Sequence, residues 1–180
     1  MTAAMAIPAA AVSLMVSDRR WREAVPGLAA LLRRAVAATL CAEDVDPASE
    51  VSVLLGDDHA MRALNARWRG QDRPTNVLSF AAGGDVAAAP GSPRFLGDVA
   101  LGFDTVMREA KDQGKTVADH LSHLVVHAAL HLLGHDHQRA RDARAMEALE
   151  ARILAGLGIA DPYTPARPAL PARPVRQARS

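Results

Sequence analysis

The order of strand and helix signals predicts a small mixed sheet with helices laid over it. Three observations carry that expectation. Two short runs, Ala11–Val16, which alternates imperfectly, and residues 51–55, apolar and rich in β-branched residues, are each followed by a helical pattern. Two more strand runs, residues 75–81 and 96–101, follow one another with only a Gly/Pro/Ala/Ser-rich loop at residues 82–95 between them. Three helical patterns then close the folded part, giving the order βα-βα-ββ-ααα.

Each element has a local reason. The run Ala11–Val16 alternates imperfectly, as a first strand does, and Asp18 offers a cap for a helix after it. Pro26 marks a break or a first helical turn. From Leu28 to Leu40 apolar residues recur at helical spacing, with Arg33 and Arg34 on the outer face. Gly56-Asp57-Asp58 supplies a turn and an N-cap after the second strand, and Met61, Leu64 and Trp68 then keep helical spacing. This strand–turn–helix has no Gly-rich loop to cradle phosphates, so a nucleotide site is excluded. Asp104 can cap a helix running to Gln113, where Gly114 stops it. Thr116 caps the next, running to Leu133, and the last carries Ala145, Leu149, Ile153 and Leu154.

Composition bounds the rest. The chain has 180 residues, enough for one domain with a real core, and only 3% aromatics, so that core must be aliphatic. Cys41 is the single cysteine, which rules out an intrachain disulfide and fits a reducing compartment. It reads as a small buried apolar residue, with nothing nearby to activate a thiolate. The net charge is +1, of which residues 161–180 hold +3 and the other 160 residues −2. Any contact with nucleic acid must therefore come from local patches or the tail. Residues 1–10 read as a loose leader without the basic region of a secretory signal, 11–158 as one catalytic domain, and 159–180 as a disordered Pro/Arg-rich tail. No apolar run is long enough to span a bilayer, and a cytoplasmic location is expected.

The chemistry concentrates in His127-Ala128-Ala129-Leu130-His131-Leu132-Leu133-Gly134-His135-Asp136-His137. Residues four apart share a helix face, so His127 and His131 can point into one site. Gly134 is the residue type that ends a helix in a left-handed turn, which lets the chain bring His137 to the same point. Three neutral nitrogens with an open fourth position describe a catalytic zinc site, one ion per chain. The spacing is also that of metzincin proteases, but the Glu that serves them as general base is replaced by Ala128. His135 competes for the third ligand place. Asp136 is a candidate acceptor that orients an imidazole, or a turn residue. His120 and His123 lie on the same stripe and suit structural hydrogen bonds, His123 being near enough to support a ligand.

The histidine stretch resembles the YbeY family of bacterial endoribonucleases, which carry H-G-x-L-H-L-x-G-[YH]-D-H; only the Gly after the first His differs, as Ala128. A second block, Arg67-Trp68-Arg69-Gly70-Gln71-Asp72-Arg73-Pro74-Thr75-Asn76-Val77-Leu78-Ser79-Phe80, is similar to that family's R-G-x-x-x-P-T-N-V-L-S-F. A third, Leu96-Gly97-Asp98-Val99-Ala100-Leu101, matches its L-G-D-I. The three occur in the family's order. The resemblance implies an α+β fold: a small mixed four-stranded sheet covered by about five helices, with the zinc-binding helix on one face. It puts the third ligand at His137, giving His127, His131 and His137. It also gives Arg69 a catalytic role, for which a planar guanidinium suits a phosphodiester. Arg67 and Arg73 add positive charge that Asp72 partly offsets, and Asn76 and Ser79 order the strand and its turn.

The activity so implied is zinc-dependent, single-strand-specific cleavage of RNA. The process implied is maturation of the small-subunit (16S) ribosomal RNA 3′ end and ribosome quality control, with the ribosome or ribosomal proteins as partners and no membrane. Two alternatives stand beside it: a metallohydrolase of another class, such as a protease or amidase, and a non-catalytic ribosome assembly factor with a structural metal.

Overall fold

A computed structural model describes residues 10–83, 93–135 and 140–164. Among them are four strands and six helices: β1 (Ala11–Val16), α1 (Arg20–Ala24), α2 (Leu28–Ala42), β2 (Glu50–Gly56), α3 (Asp58–Arg69), β3 (Val77–Ala81), β4 (Phe95–Gly102), α4 (Phe103–Asp112), α5 (Val117–Leu132) and α6 (Ala140–Gly156). The expected mixed four-stranded sheet is present, in the order β1-β2-β4-β3. β1, β2 and β4 run parallel, and β3 pairs antiparallel with β4. There is one helix more than the five expected, because Gly27, with φ +71°, separates the short α1 from α2.

The two sheet faces are covered unequally. Val53, Leu55, Val99 and Leu101 belong to the main core, formed with α2 and α5. Met15, Leu54, Ala100 and Leu78 form a row across the opposite face, where α3 contributes Met61 and Leu64 to a smaller cluster. One helix does not cover four strands, and Met15 remains 66% exposed. Trp68, which keeps the spacing of the buried Met61, is 60% exposed for the same reason.

Some local expectations need correction. The cap of α4 is Gly102 with no side-chain bond; Asp104 sits in the first turn and pairs with Arg20 at 2.8 Å. Cys41, expected inside, is exposed on the last turn of α2. Residues 159–164, which composition assigns to the tail, pack back on the domain: Lys115 Nζ donates to the Pro162 carbonyl at 3.1 Å, and the Tyr163 hydroxyl reaches Glu150. Residues 1–9 of the leader, most of the 82–95 loop and residues 165–180 lie outside the described residues.

Candidate metal and RNA cleft

Helix α5 is the element that builds the site. Thr116 caps it as expected, its hydroxyl accepting from the Asp119 N–H at 3.0 Å. Apolar residues cover most of its circumference, so it lies buried against α2, α4, α6 and β3. Through this apolar surface runs a stripe of His120, His123, His127 and His131 at helical spacing. Each ring has an anchoring acceptor. His120 Nε2 meets Glu109 at 2.8 Å, and His123 Nε2 meets Glu150 at 2.9 Å. His127 Nδ1 meets the other Glu150 oxygen at 2.7 Å, and His131 Nδ1 meets the His135 carbonyl at 2.8 Å.

The last two bonds decide what the ring faces present. A carboxylate and a carbonyl only accept, so both Nδ1 atoms carry the proton, and both Nε2 atoms are left as lone-pair donors. These two Nε2 atoms face each other at 3.1 Å. Two ligands at about 2.0–2.1 Å from a tetrahedral zinc lie about 3.3 Å apart, so the pair fits a cation held between them. A carboxylate or carbonyl behind each imidazole is also what fixes the tautomer of a metal-ligating histidine. Among the described residues no three His, Cys, Asp or Glu side chains converge at ligand distance. The proposed third ligand, His137, lies outside them, as does Asp136. The competitor His135 turns its Nε2 to Glu43 at 2.6 Å, while Gly134, with φ +94°, makes the turn after α5.

Glu150 was not foreseen from sequence. It is 1% exposed on α6 and accepts from His123, His127 and the Tyr163 hydroxyl. Burial pushes its carboxyl up, but those three hydrogen bonds outweigh it and hold the group at about 2. The signal was present: Met146, Glu150, Ile153 and Leu154 share one stripe, and a charge inside an apolar stripe needs partners. Glu109 behaves alike. Burial raises it, and bonds from His120 and from Asn76 Nδ2, the latter at 3.0 Å, bring it below its ordinary value.

The histidine pair opens into a cleft of about 450 Å³ that His127, Ala128 and His131 line from α5 and Arg69 lines from the end of α3. The structure thus brings together the predicted arginine and two of the three predicted histidines. Gly70, with φ +66°, ends α3 directly after Arg69. The loop that follows is pinned by Asn65 Nδ2 to the Arg73 carbonyl at 2.8 Å and by Arg62 to Asp72 at 2.6 Å. Asp72 is therefore taken up by Arg62 rather than offsetting Arg67 or Arg73. Among the described residues no acid pairs with Arg69. Arg73 and Arg108 line the same cleft, so its rim is positive apart from Glu109. Asn76 orders the entry to β3 as expected, accepting from the Val77 N–H at 2.6 Å.

Residues 15–158 match the family model described as Endoribonuclease YbeY. The chain belongs to the YbeY family. It is 53% identical over 146 residues to the "Endoribonuclease YbeY" of Paramagnetospirillum magneticum, covering 79% of this chain and 89% of that one. It is 51% identical over 156 residues to the protein of the same name from Chelativorans sp., covering 87% and 94%. The solution structure of TM1509 from Thermotoga maritima shares the fold, with TM-score 0.54 at 22% identity over 81% of this chain and 88% of that one. In this member of the YbeY family, Ala128 is 1% exposed, packed into the core at the edge of the cleft. No helix among the described residues is long and apolar enough to cross a membrane.

Proposed function

We propose that this YbeY-family chain is a zinc-dependent endoribonuclease that cuts single-stranded RNA in the cleft between α5 and the end of α3. The observation that carries the reading is the pair of Nε2 atoms at 3.1 Å, each with its Nδ1 already committed to an acceptor, opening into a cleft that Arg69 also lines. The names of the relatives, endoribonucleases at about half identity, support the RNA substrate.

His127, His131 and His137 hold the metal. When bound, zinc supplies Lewis acidity that makes a water or hydroxyl a competent nucleophile near neutral pH. Every other task falls to the chain itself. Glu150 keeps the proton on His127 Nδ1 and so keeps Nε2 a ligand; the His135 carbonyl does the same for His131. Arg69 grips the scissile phosphodiester with paired hydrogen bonds and stabilises the charge that builds on its oxygens in the transition state. Arg73 and Arg108 raise the local concentration of the polyanion.

The narrower process, maturation of the small-subunit ribosomal RNA 3′ end and ribosome quality control, rests on the family resemblance, and a ribosomal substrate implies work in the cytoplasm. A protease of the metzincin kind is disfavoured by Ala128, which puts a buried methyl where those enzymes carry their base. Cleavage of a single-stranded RNA with and without chelator, with casein in parallel, tests the reading. RNA cleavage lost on chelation, with casein intact, is expected. Casein cleavage would support the protease, and metal-replete protein that cuts neither would support an assembly factor. Loss of zinc from His137→Ala but not from His135→Ala would support the choice of third ligand.

A further inference from the structure

The half-covered face of the sheet carries an apolar groove of about 660 Å³ that the cleavage chemistry does not use. Trp68 and Phe80 form one side, their ring centroids 5.8 Å apart and tilted by 59°. Met15, Leu54 and Leu64 supply the aliphatic floor. A bulky indole 60% exposed beside a second aromatic is costly to leave in water unless something covers it.

Three features say what covers it. The groove is continuous in the chain with the candidate cleft: neighbouring residues of α3 send Trp68 to the groove and Arg69 to the cleft, and neighbouring residues of β3 send Phe80 to the groove and Ser79 to the cleft. The indole also carries a cation, for the Arg67 guanidinium lies 5.3 Å from the ring centroid. Finally, the charge is lopsided. Arg67 and Arg69 stand at the α3 end beside Trp68, whereas the one acid among the described residues lining the groove, Asp98, is the cross-strand partner of Phe80, so phosphates are drawn to the Trp68 side. An aromatic pair beside a track of arginines is the arrangement that takes up unpaired bases on the rings and phosphates on the cations.

We infer that Trp68 and Phe80, with Arg67, form a stacking platform for unpaired nucleotides of the RNA strand whose scissile phosphate sits at Arg69. The strand leaves the cleft around the β3 edge, and its flanking bases stack on the two rings. A duplex cannot offer those base faces, so the platform selects single strands. This rests on the endoribonuclease reading and extends it to the substrate outside the cleft.

The test uses the zinc-loaded protein and a 12-nucleotide 2′-O-methyl RNA, which lacks the 2′-hydroxyl nucleophile and whose integrity against attack by water is verified on a gel after the titration. The chain has two tryptophans, and Trp21 is fully buried with its indole N–H on the Gly56 carbonyl at 3.0 Å. Quenching of tryptophan emission on titration therefore reports Trp68. Expected are a saturable quench in the wild type and, by fluorescence anisotropy of the same strand carrying a 5′ dye, about tenfold weaker binding for Trp68→Ala and near-wild-type binding for Trp68→Phe. Because Trp68 is mostly exposed, the alanine variant stays folded, which circular dichroism verifies. Wild-type affinity in Trp68→Ala, or tight binding without a quench, would overturn the platform. If Arg69→Ala alone weakens binding, the platform falls and the cleft reading stands; if the wild-type protein does not bind the strand at all, both fall. A Trp68→Ala variant that loses self-association but keeps its RNA affinity would assign the face to a second copy of the chain and overturn the proposal.

Discussion

The Nε2 atoms of His127 and His131 stand 3.1 Å apart with an acceptor behind each Nδ1, so each change behind these rings has a defined sign. Glu150→Gln removes the charge that fixes the His127 tautomer; zinc affinity, measured by competition with a chromophoric chelator, should fall about 10- to 100-fold. The same residue predicts a pH effect in the metal-free protein. Its carboxyl stands at about 2 against an ordinary 4.5, so its contribution to stability is full above about pH 4.5 and is lost as pH falls from there towards 2. The gap in melting temperature between wild type and Glu150→Gln should shrink across that window; a constant gap would show that the carboxylate is not held by its donors. Arg69 is the opposite case, an exposed group with no acid on it among the described residues. Arg69→Ala should keep fold and zinc yet lose about a hundredfold in kcat on single-stranded RNA, with Lys rescuing only in part. A loss confined to KM would make it a binding residue instead.

At the scale of elements, the motif Leu96-Gly97-Asp98 has a backbone reason that the sequence match did not supply. Glu50 pairs with Phe95 and Val51 with Gly97, so Leu96 is an extra residue and the strand bulges there. Gly97 has φ +141°, and a Cβ on it would collide with the Phe80 carbonyl. Gly97→Ala should cost about 3 kcal/mol in chemical denaturation and weaken the β3–β4 pairing that brings β3 to the cleft; a silent substitution would contradict that. Strand and helix positions were legible because alternation and caps are local: Ala11–Val16 is a strand as read, and Thr116 caps α5. Histidine spacing likewise gave the shared face of α5. The acceptors behind the histidines were not legible, because Glu150 lies 23 residues from His127 and Glu43 lies 92 from His135. Nothing local distinguishes such a Glu from a surface one except its place in an apolar stripe. Trp68 shows the converse: helical spacing marks the face a residue takes, not whether another layer covers it.

For the molecule as a whole, the domain extends beyond the point where composition turns Pro- and Arg-rich. Tyr163 reaches back to Glu150, and Lys115 holds the Pro162 carbonyl. Removing residues 165–180 should leave the melting temperature nearly unchanged, whereas removing 160–180 should lower it and weaken zinc binding, because Glu150 then loses one of its three donors. Equal effects of the two truncations would show that the segment 160–164 holds nothing. The molecule as described is a sheet with one well-covered face that carries the histidines and one half-covered face that carries the aromatics, with the arginines of α3 at the edge between them.

The most direct test of the account is a zinc titration of the chelated protein with cleavage of single-stranded RNA as the readout. Activity should be absent without metal, rise in proportion to added zinc and stop rising at one ion per chain. Full cleavage by protein verified to be metal-free, or none at saturating zinc, would contradict it.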